Sequence, residues 1–184
     1  MRPCALVMAL VASGLTGGGL ISEQASAAGL RSSERIEEGF GIGQRPPQFS
    51  AIDLNGKRQT LKQYRGRIVV LHFWATWCPY CRGEIPKLFQ IHEQGSSLGV
   101  TVLAVSVDHD LDQLQTFVQQ VGIPYIVIPD AISQYSLAIA YGIRGFPVTY
   151  LLDRTGRIAY RFFGSTDLIG AVQHLLDQSS APKT

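Results

Sequence analysis

Apolar and polar positions along the chain predict strands and helices in alternation. Residues 67–74 (RIVVLHFW) and 99–108 (GVTVLAVSVD) are almost wholly apolar and rich in β-branched side chains, which is typical of strands buried on both faces of a sheet. Helical segments follow each of these runs, and shorter segments bounded by turn residues continue to the end of the chain. The predicted strands are 67–74, 99–108, 125–128, 148–153 and 157–163. The predicted helices are 78–95, 110–122, 132–141 and a last one, capped by Ser165 or Thr166, that ends near Gln178.

This order of elements predicts an α/β fold with a central mixed sheet that is covered by helices on both faces. Ahead of the sheet, apolar and polar residues alternate around Asn55-Gly56, a dipeptide that favours a tight hairpin turn. The chain has 184 residues, which is enough for one domain with a core that needs no disulfide to hold it together. The sequence therefore predicts one domain over 48–184 with an N-terminal β-hairpin.

The first 27 residues have the layout of a secretory signal peptide. Arg2 precedes an apolar run, and Ala25-Ser26-Ala27 provides small residues at a cleavage site, after which a flexible lead-in rich in Ser, Glu, Gly and Pro is predicted over 28–47. The alternative is an uncleaved anchor in the inner membrane. Gly14 and residues 17–19 interrupt the run, however, before it reaches the roughly 20 apolar residues that span a bilayer. We therefore predict an exported, periplasmic protein that is membrane-bound only if this segment stays attached.

Composition and cysteine count narrow the classes of function. Charged residues make up 16% of the chain and the net charge is +2, so no field strong enough to gather nucleic acid is present. Cys4 leaves with the predicted signal peptide, and the mature chain then holds only Cys78 and Cys81. Zinc needs four ligands, and no second CxxC or nearby HxxxH supplies them, so we predict no metal site and no cofactor.

The two cysteines stand where a predicted strand passes into a predicted helix. Unpaired N–H groups and the helix dipole at this place favour a thiolate at Cys78 and lower the pKa of such a thiol from about 8.5 to roughly 3.5–7.5. Cys81 lies one turn on and can attack a mixed disulfide formed at Cys78. Pro79 fits the first helical turn, and Tyr80 can shield or present the sulfurs. The alternatives to redox chemistry for this cysteine pair are a structural disulfide or half of a zinc site.

The segment WCPYC, with FWATW before it and RGEIP after it, resembles the periplasmic TlpA/ResA-like thiol-disulfide oxidoreductases of the thioredoxin superfamily. The resemblance covers residues 49–178 and implies a thioredoxin-like fold. It implies that Cys78 is the exposed nucleophile and that Cys81 is the less exposed resolving cysteine. It also implies that Pro147 follows a cis peptide bond and faces the disulfide. Glu84 matches an acidic residue that manages the protons of the two cysteines; its alternative is a solvated helix surface.

Three further residues are predicted to support the site. Trp77 is expected to flank the cysteines as a lid, and Phe146 precedes the proline that faces them. His72 departs from the family pattern, because thioredoxin has a buried acid at this place and TlpA-like relatives often have a neutral amide. An imidazole here could accept or pass the Cys81 proton. It could equally be a buried histidine with backbone partners.

The resemblance favours a reductant of exported cysteine-containing proteins, of the cytochrome c maturation type or similar, that is recharged by a membrane thiol electron donor. A disulfide oxidase or isomerase is an alternative, because the CPYC sequence alone does not fix the reduction potential. A second alternative is a Cu(I)-binding assembly factor resembling a metallochaperone, since two thiolates can hold Cu(I). A thiol peroxidase is disfavoured, because Ala75 stands where that group has a threonine.

Overall fold

A computed structural model of the chain describes residues 38–133, 136–164 and 167–180. The elements in this part of the chain run in the order β1 (Ser50–Ile52), β2 (Arg58–Thr60), β3 (Ile68–Trp74), α1 (Pro79–Gly95), β4 (Val100–Ser106), α2 (Leu111–Val121), β5 (Ile126–Pro129), α3 (Leu137–Ala140), β6 (Val148–Leu152), β7 (Ile158–Phe163) and α4 (Leu168–Ser180). The predicted signal peptide at 1–27 and the expected caps Ser165 and Thr166 lie outside the described residues. Asp167 accepts a hydrogen bond from the Gly170 N–H at 2.9 Å, at the start of α4.

The central sheet has five strands in the order β5-β4-β3-β6-β7. Strands β3, β4 and β5 are parallel to one another. Strand β6 runs antiparallel to β3, and β7 runs antiparallel to β6. β3 is central, and all seven of its residues are buried, as its unbroken apolar run predicts. Strands β1 and β2 form the separate N-terminal hairpin. The predicted fold class is confirmed.

Alternate residues of β3 pack against different layers, because successive side chains of a strand point to opposite faces. Val70 and Trp74 join a core that includes side chains of α1, α2 and α4. Leu71 and Phe73 join a second core with side chains of α3 and of the hairpin. The sheet is therefore covered on both faces. Across the described residues, no helix is long and apolar enough to cross a membrane.

The helix predicted over 132–141 is wrong in its extent. Within the described part of 132–141, only Leu137–Ala140 is α-helical, and Asp130–Ile132 forms a 3-10 turn. The Asp130 carboxylate accepts hydrogen bonds from the backbone N–H groups of Leu137 (2.6 Å) and Ala138 (3.2 Å) and from the Ser136 hydroxyl (2.7 Å). A carboxylate seven residues upstream thus satisfies the donors at the start of α3, which local capping rules do not reveal.

The described part of the predicted flexible lead-in, residues 38–47, contacts β7 and the segment after α3. The Gly43 N–H donates to the carbonyl of Ile158, and the Ile158 N–H donates to the carbonyl of Gln44, both at 2.8 Å. The Phe40 ring lies 5.9 Å from the ring of Tyr141, centroid to centroid. These contacts hold this stretch together with hydrogen bonds from the Arg157 side chain to the Gly43 carbonyl and from the Tyr141 hydroxyl to the Pro47 carbonyl. None of them produces a periodic pattern in the sequence.

Candidate active site

Cys78 occupies the N-cap position of α1, directly after the loop that leaves β3. Its backbone is extended (φ −86°, ψ 111°), and its Sγ accepts a hydrogen bond from the Cys81 N–H at 3.2 Å. Pro79 takes the first helical position, where its missing N–H costs no hydrogen bond. Cys78 and Cys81 form a disulfide with Cα atoms 5.3 Å apart. The sulfur of Cys78 therefore stands where a helix start favours a negative charge.

The two cysteines differ in their exposure to solvent. The Cys78 residue is 5% exposed, whereas Cys81 is fully buried. Tyr80 is 81% exposed, and Pro79 is also exposed. An attacking sulfur therefore has access to Cys78 rather than to Cys81.

The loop before β6 lies beside the disulfide. The Phe146–Pro147 peptide bond is cis, as the family resemblance implies, and Pro147 is buried. The Phe146 carbonyl oxygen lies 3.9 Å from Cys78 Sγ. The Trp77 ring meets the Phe146 ring edge to face at 6.1 Å and is itself 60% exposed. The structure thus brings the Phe146 carbonyl to Cys78 and the Trp77 ring to Phe146.

A groove of about 540 Å³ opens beside these two aromatic rings. Its lining comes from the loops after β3 and β4, from the segment before and within α3, and from the loop before β6, and includes Trp77, Val107, His109, Asp130, Ile139 and Phe146. The lining combines apolar side chains with polar ones such as His109 and Asp130. The groove is open to solvent next to the more exposed cysteine.

A buried polar cluster lies between β3, β6 and α1. His72 Nδ1 is 2.9 Å from the Thr149 hydroxyl and 3.8 Å from Glu84 Oε2, and both His72 and Glu84 are at most 4% exposed. Within the described structure, neither His72 Nε2 nor Glu84 Oε2 has a hydrogen-bond partner. Glu84 is thus buried rather than solvated, and His72 has a side-chain partner at Nδ1 and none at Nε2.

Burial favours the uncharged form of both members of this cluster. Loss of solvation lowers the pKa of His72 from 6.5 to about 3. The same effect raises the pKa of Glu84 above its usual value, and the positive charge of Lys87 offsets part of that rise. The Glu84 carboxyl lies one helical turn beyond Cys81, and its raised pKa makes its carboxylate form a better proton acceptor.

Asp108 fixes the loop before Cys78 and is not among the site residues that the sequence predicts. Its carboxylate is 1% exposed and accepts hydrogen bonds from the backbone N–H and the hydroxyl of Thr76, two residues before Cys78. One signal was available: an acid stands directly after a buried strand that neighbours the strand leading to the cysteines. Carboxyl ends of adjacent parallel strands meet at one edge of the sheet.

The described residues contain no group of three or more His, Cys, Asp or Glu side chains that could hold a metal ion. The site combines a cysteine pair at a helix start with a cis-proline loop next to Cys78 Sγ. Both lie at the edge of a mixed sheet with the strand order β5-β4-β3-β6-β7. Together these features define a thioredoxin-like thiol-disulfide oxidoreductase.

Comparison with known proteins agrees with this class. The chain is 31% identical over 134 residues to the thiol-disulfide oxidoreductase ResA of Geobacillus thermodenitrificans, an alignment that covers 73% of this chain and 76% of that protein. It is 31% identical over 122 residues to ResA of Bacillus subtilis, covering 66% and 67%, respectively. A crystal structure of a thioredoxin-family thiol:disulfide interchange protein from Chlorobium tepidum has a TM-score of 0.66 at 26% identity and covers 75% of this chain and 99% of that one. The AhpC/TSA family model matches residues 42–161, and the chain belongs to that family, as a TlpA/ResA-like thiol-disulfide oxidoreductase of the thioredoxin superfamily.

Proposed function

We propose that this enzyme is a reductant that transfers two electrons from the Cys78/Cys81 dithiol to disulfides of exported proteins, in cytochrome c maturation or a similar process. The observation that carries the proposal is the position of Cys78 Sγ, which accepts the Cys81 N–H at the start of α1 while being the more exposed sulfur. The similarity to proteins named ResA supports the direction of electron flow.

The reaction follows from the different positions of the two sulfurs. The Cys78 thiolate attacks one sulfur of the substrate disulfide, a mixed disulfide forms, and the other substrate sulfur leaves as a thiolate. Cys81 then gives up its proton and attacks Cys78 Sγ. The Cys78–Cys81 disulfide forms, and the second substrate sulfur is released. The substrate disulfide is reduced by two electrons, and the enzyme dithiol is oxidised.

The second step needs a group that accepts the Cys81 proton, because a fully buried sulfur cannot hand it directly to water. We assign this role to Glu84, which follows Cys81 by three residues on the same face of α1 and is itself buried. Pro147 and Phe146 shape the opposite wall, where the substrate sulfur must approach Cys78. Trp77 forms the exposed rim of the same wall.

We further propose that the N-terminal segment 1–27 directs export to the periplasm. There the oxidised enzyme has to be reduced again, and a membrane thiol carrier is the class of donor that can bring electrons to this compartment. Its partners are then cysteine-containing exported proteins on one side and this donor on the other.

The reduction potential of the Cys78/Cys81 pair tests the direction. It is measured in the mature protein by equilibration with defined thiol-disulfide buffers. A value near or below about −250 mV is expected for a reductant, whereas a value of about −120 to −180 mV would assign an oxidase or isomerase. Failure to form the disulfide reversibly would refute both and favour Cu(I) binding.

Trapping of intermediates tests the roles of the two cysteines. Cys81→Ser should accumulate mixed disulfides through Cys78, because the resolving thiol is missing. Cys78→Ser is the matched control and should accumulate few, since its remaining thiol is buried. Equal trapping by the two variants would overturn the assignment of nucleophile and resolving cysteine.

A further inference from the structure

Thr76, the residue two places before Cys78, is held through its backbone N–H, its hydroxyl and its carbonyl. Its backbone N–H donates to the Asp108 carboxylate at 3.0 Å, and its hydroxyl donates to the same carboxylate at 2.6 Å. Its carbonyl accepts a hydrogen bond from Arg82 Nε at 2.5 Å. Thr76 is 3% exposed, so water does not compete for these groups. Both the backbone and the side chain of this loop residue are therefore fixed.

Asp108 is itself held in place by Ser106. The Ser106 hydroxyl donates to Asp108 Oδ2 at 2.6 Å and accepts the Asp108 N–H at 3.1 Å, and Ser106 is fully buried. The Val107 N–H, between these two residues, donates to the Trp74 carbonyl at 3.0 Å. The residues at the end of β4 are thus hydrogen-bonded to the end of β3 and to the loop that leads to the disulfide.

Arg82 holds the loop from the other side. Its guanidinium carbon lies 5.2 Å from the centre of the Phe117 ring in α2, which fixes the side chain that reaches Thr76. Because Arg82 belongs to the first turn of α1, the loop is tied to the helix that carries Cys81 as well as to β4. Movement of Thr76 would therefore shift Cys78 relative to the Cys81 N–H.

We propose that Asp108 is a positioning residue for disulfide exchange: through Thr76 it holds Cys78 Sγ on the Cys81 N–H and Trp77 against Phe146. The inference rests on the proposed exchange chemistry of Cys78 and adds to it a residue that does not touch the sulfurs. Asp108 acts here by the geometry of its hydrogen bonds.

A positioning role and a simple charge effect predict opposite changes in the rate of Cys78 alkylation when Asp108 is replaced by asparagine. If the Asp108 carboxylate acted only through its negative charge, Asp108→Asn would make the Cys78 thiolate easier to form and Cys78 faster to alkylate. If it acts by holding Thr76, loss of its hydrogen bonds weakens the contact of Cys78 Sγ with the helix start and makes alkylation slower. Thr76→Val removes one of these hydrogen bonds without changing any charge.

The experiment measures the rate at which iodoacetamide alkylates Cys78 in the reduced protein, from pH 5 to 9. Cys4→Ser and Cys81→Ser are the background, so that one thiol reports. Thr76→Val should slow alkylation at pH 7 by about three- to tenfold, the range that one hydrogen bond supports, and should move the pH midpoint upward. Thr76→Ser keeps the hydroxyl and should recover most of the rate. Asp108→Asn should slow it as well.

Asp53→Asn is the matched control for replacing a buried carboxylate. Asp53 is 3% exposed and accepts hydrogen bonds from the Asn55 and Lys57 N–H groups and from Gln59, all within the β1–β2 hairpin. The Asp53→Asn substitution should lower thermal stability without changing the pH profile of Cys78 alkylation. If Thr76→Val proves poorly folded by circular dichroism, Ser106→Ala removes the support of Asp108 from outside the loop and takes its place in the comparison.

An unchanged profile in Thr76→Val, faster alkylation in Asp108→Asn, or equal slowing in Asp53→Asn would each overturn the positioning role. The result is separable from the proposed function. Reduction of a peptide disulfide by the wild-type protein tests that function, whereas alkylation requires only the reduced Cys78 thiol.

Discussion

Replacing His72 by asparagine should remove a pH dependence of stability that burial of the imidazole creates. His72 is 1% exposed, and lost solvation lowers its pKa from 6.5 to about 3. An asparagine amide can place a polar atom near the position of Nδ1, which is 2.9 Å from the Thr149 hydroxyl, but it does not titrate. The comparison is made on the oxidised protein, so that no cysteine titrates.

The sign and size of the effect follow from the shift. Because the folded pKa lies below the unfolded one, the stabilisation is complete above pH 6.5 and is lost as the pH falls toward 3, while the unfolded chain takes up the proton. One pKa unit corresponds to about 1.4 kcal/mol, so the full loss is about 5 kcal/mol. Between pH 7.5 and 4.5 the expected part is about 2.5 kcal/mol. That is a large share of the roughly 5–15 kcal/mol by which domains are stable.

The assay is urea unfolding of the wild type and His72→Asn at pH 7.5, 6.5, 5.5 and 4.5. The difference between their free energies of unfolding should shift in favour of the variant by about 2.5 kcal/mol over this range. His174→Asn is the matched control; His174 is exposed on α4, so its replacement should leave the pH dependence as it is. A pH-independent difference for His72→Asn would refute the neutral state. It would mean that His72 takes up a proton as readily in the folded protein as in the unfolded chain. A shift in the opposite direction would indicate a charged His72 paired with Glu84, whose Oε2 lies 3.8 Å from Nδ1.

Three further predictions concern neighbouring groups. Glu84→Gln should show the opposite sign, because burial raises the pKa of this carboxyl: the wild type should gain stability relative to the variant as the pH falls from 7.5 to 4.5, and a flat difference would contradict it. Trp77→Ala should change the free energy of unfolding by less than about 0.5 kcal/mol, since the ring is 60% exposed, yet slow reduction of a protein disulfide more than that of a small aromatic disulfide; equal slowing would argue against a role in substrate contact. Asp130→Ala should cost about 2 kcal/mol in urea unfolding, because two backbone donors at the start of α3 lose their acceptor, and an unchanged midpoint would show that they find another.

The sequence was sufficient for the parts of the fold that hydrophobic runs determine. β3 and β4 lie within one or two residues of their predicted limits, because a strand that is buried on both faces is apolar from end to end. The same reasoning placed Cys78 at a helix start, since Pro79 and the end of the run at Trp74 mark both boundaries. Local chemistry and local structure coincide at this place, so that one short motif reveals both.

Contacts between distant segments could not be predicted in this way. Asp130 caps α3 across seven residues, and Asp108 holds Thr76 across 32 positions of the chain. Neither leaves a periodic signal, because each is a single acid in a loop. Phe40 is a similar case: one aromatic side chain anchors a segment whose composition otherwise resembles a flexible linker.

The position of β6 connects the two halves of the active site. This strand begins directly after Pro147, and its register with β3 places Thr149 opposite His72. The strand that follows the Phe146 carbonyl, 3.9 Å from Cys78 Sγ, therefore also supplies the hydroxyl that bonds His72. A slip of one residue would turn Thr149 to the other face of the sheet and leave the imidazole without this partner. His72 thus depends on the register of β6 for its hydrogen bond, and its role in this enzyme has to be tested together with Thr149 and Glu84.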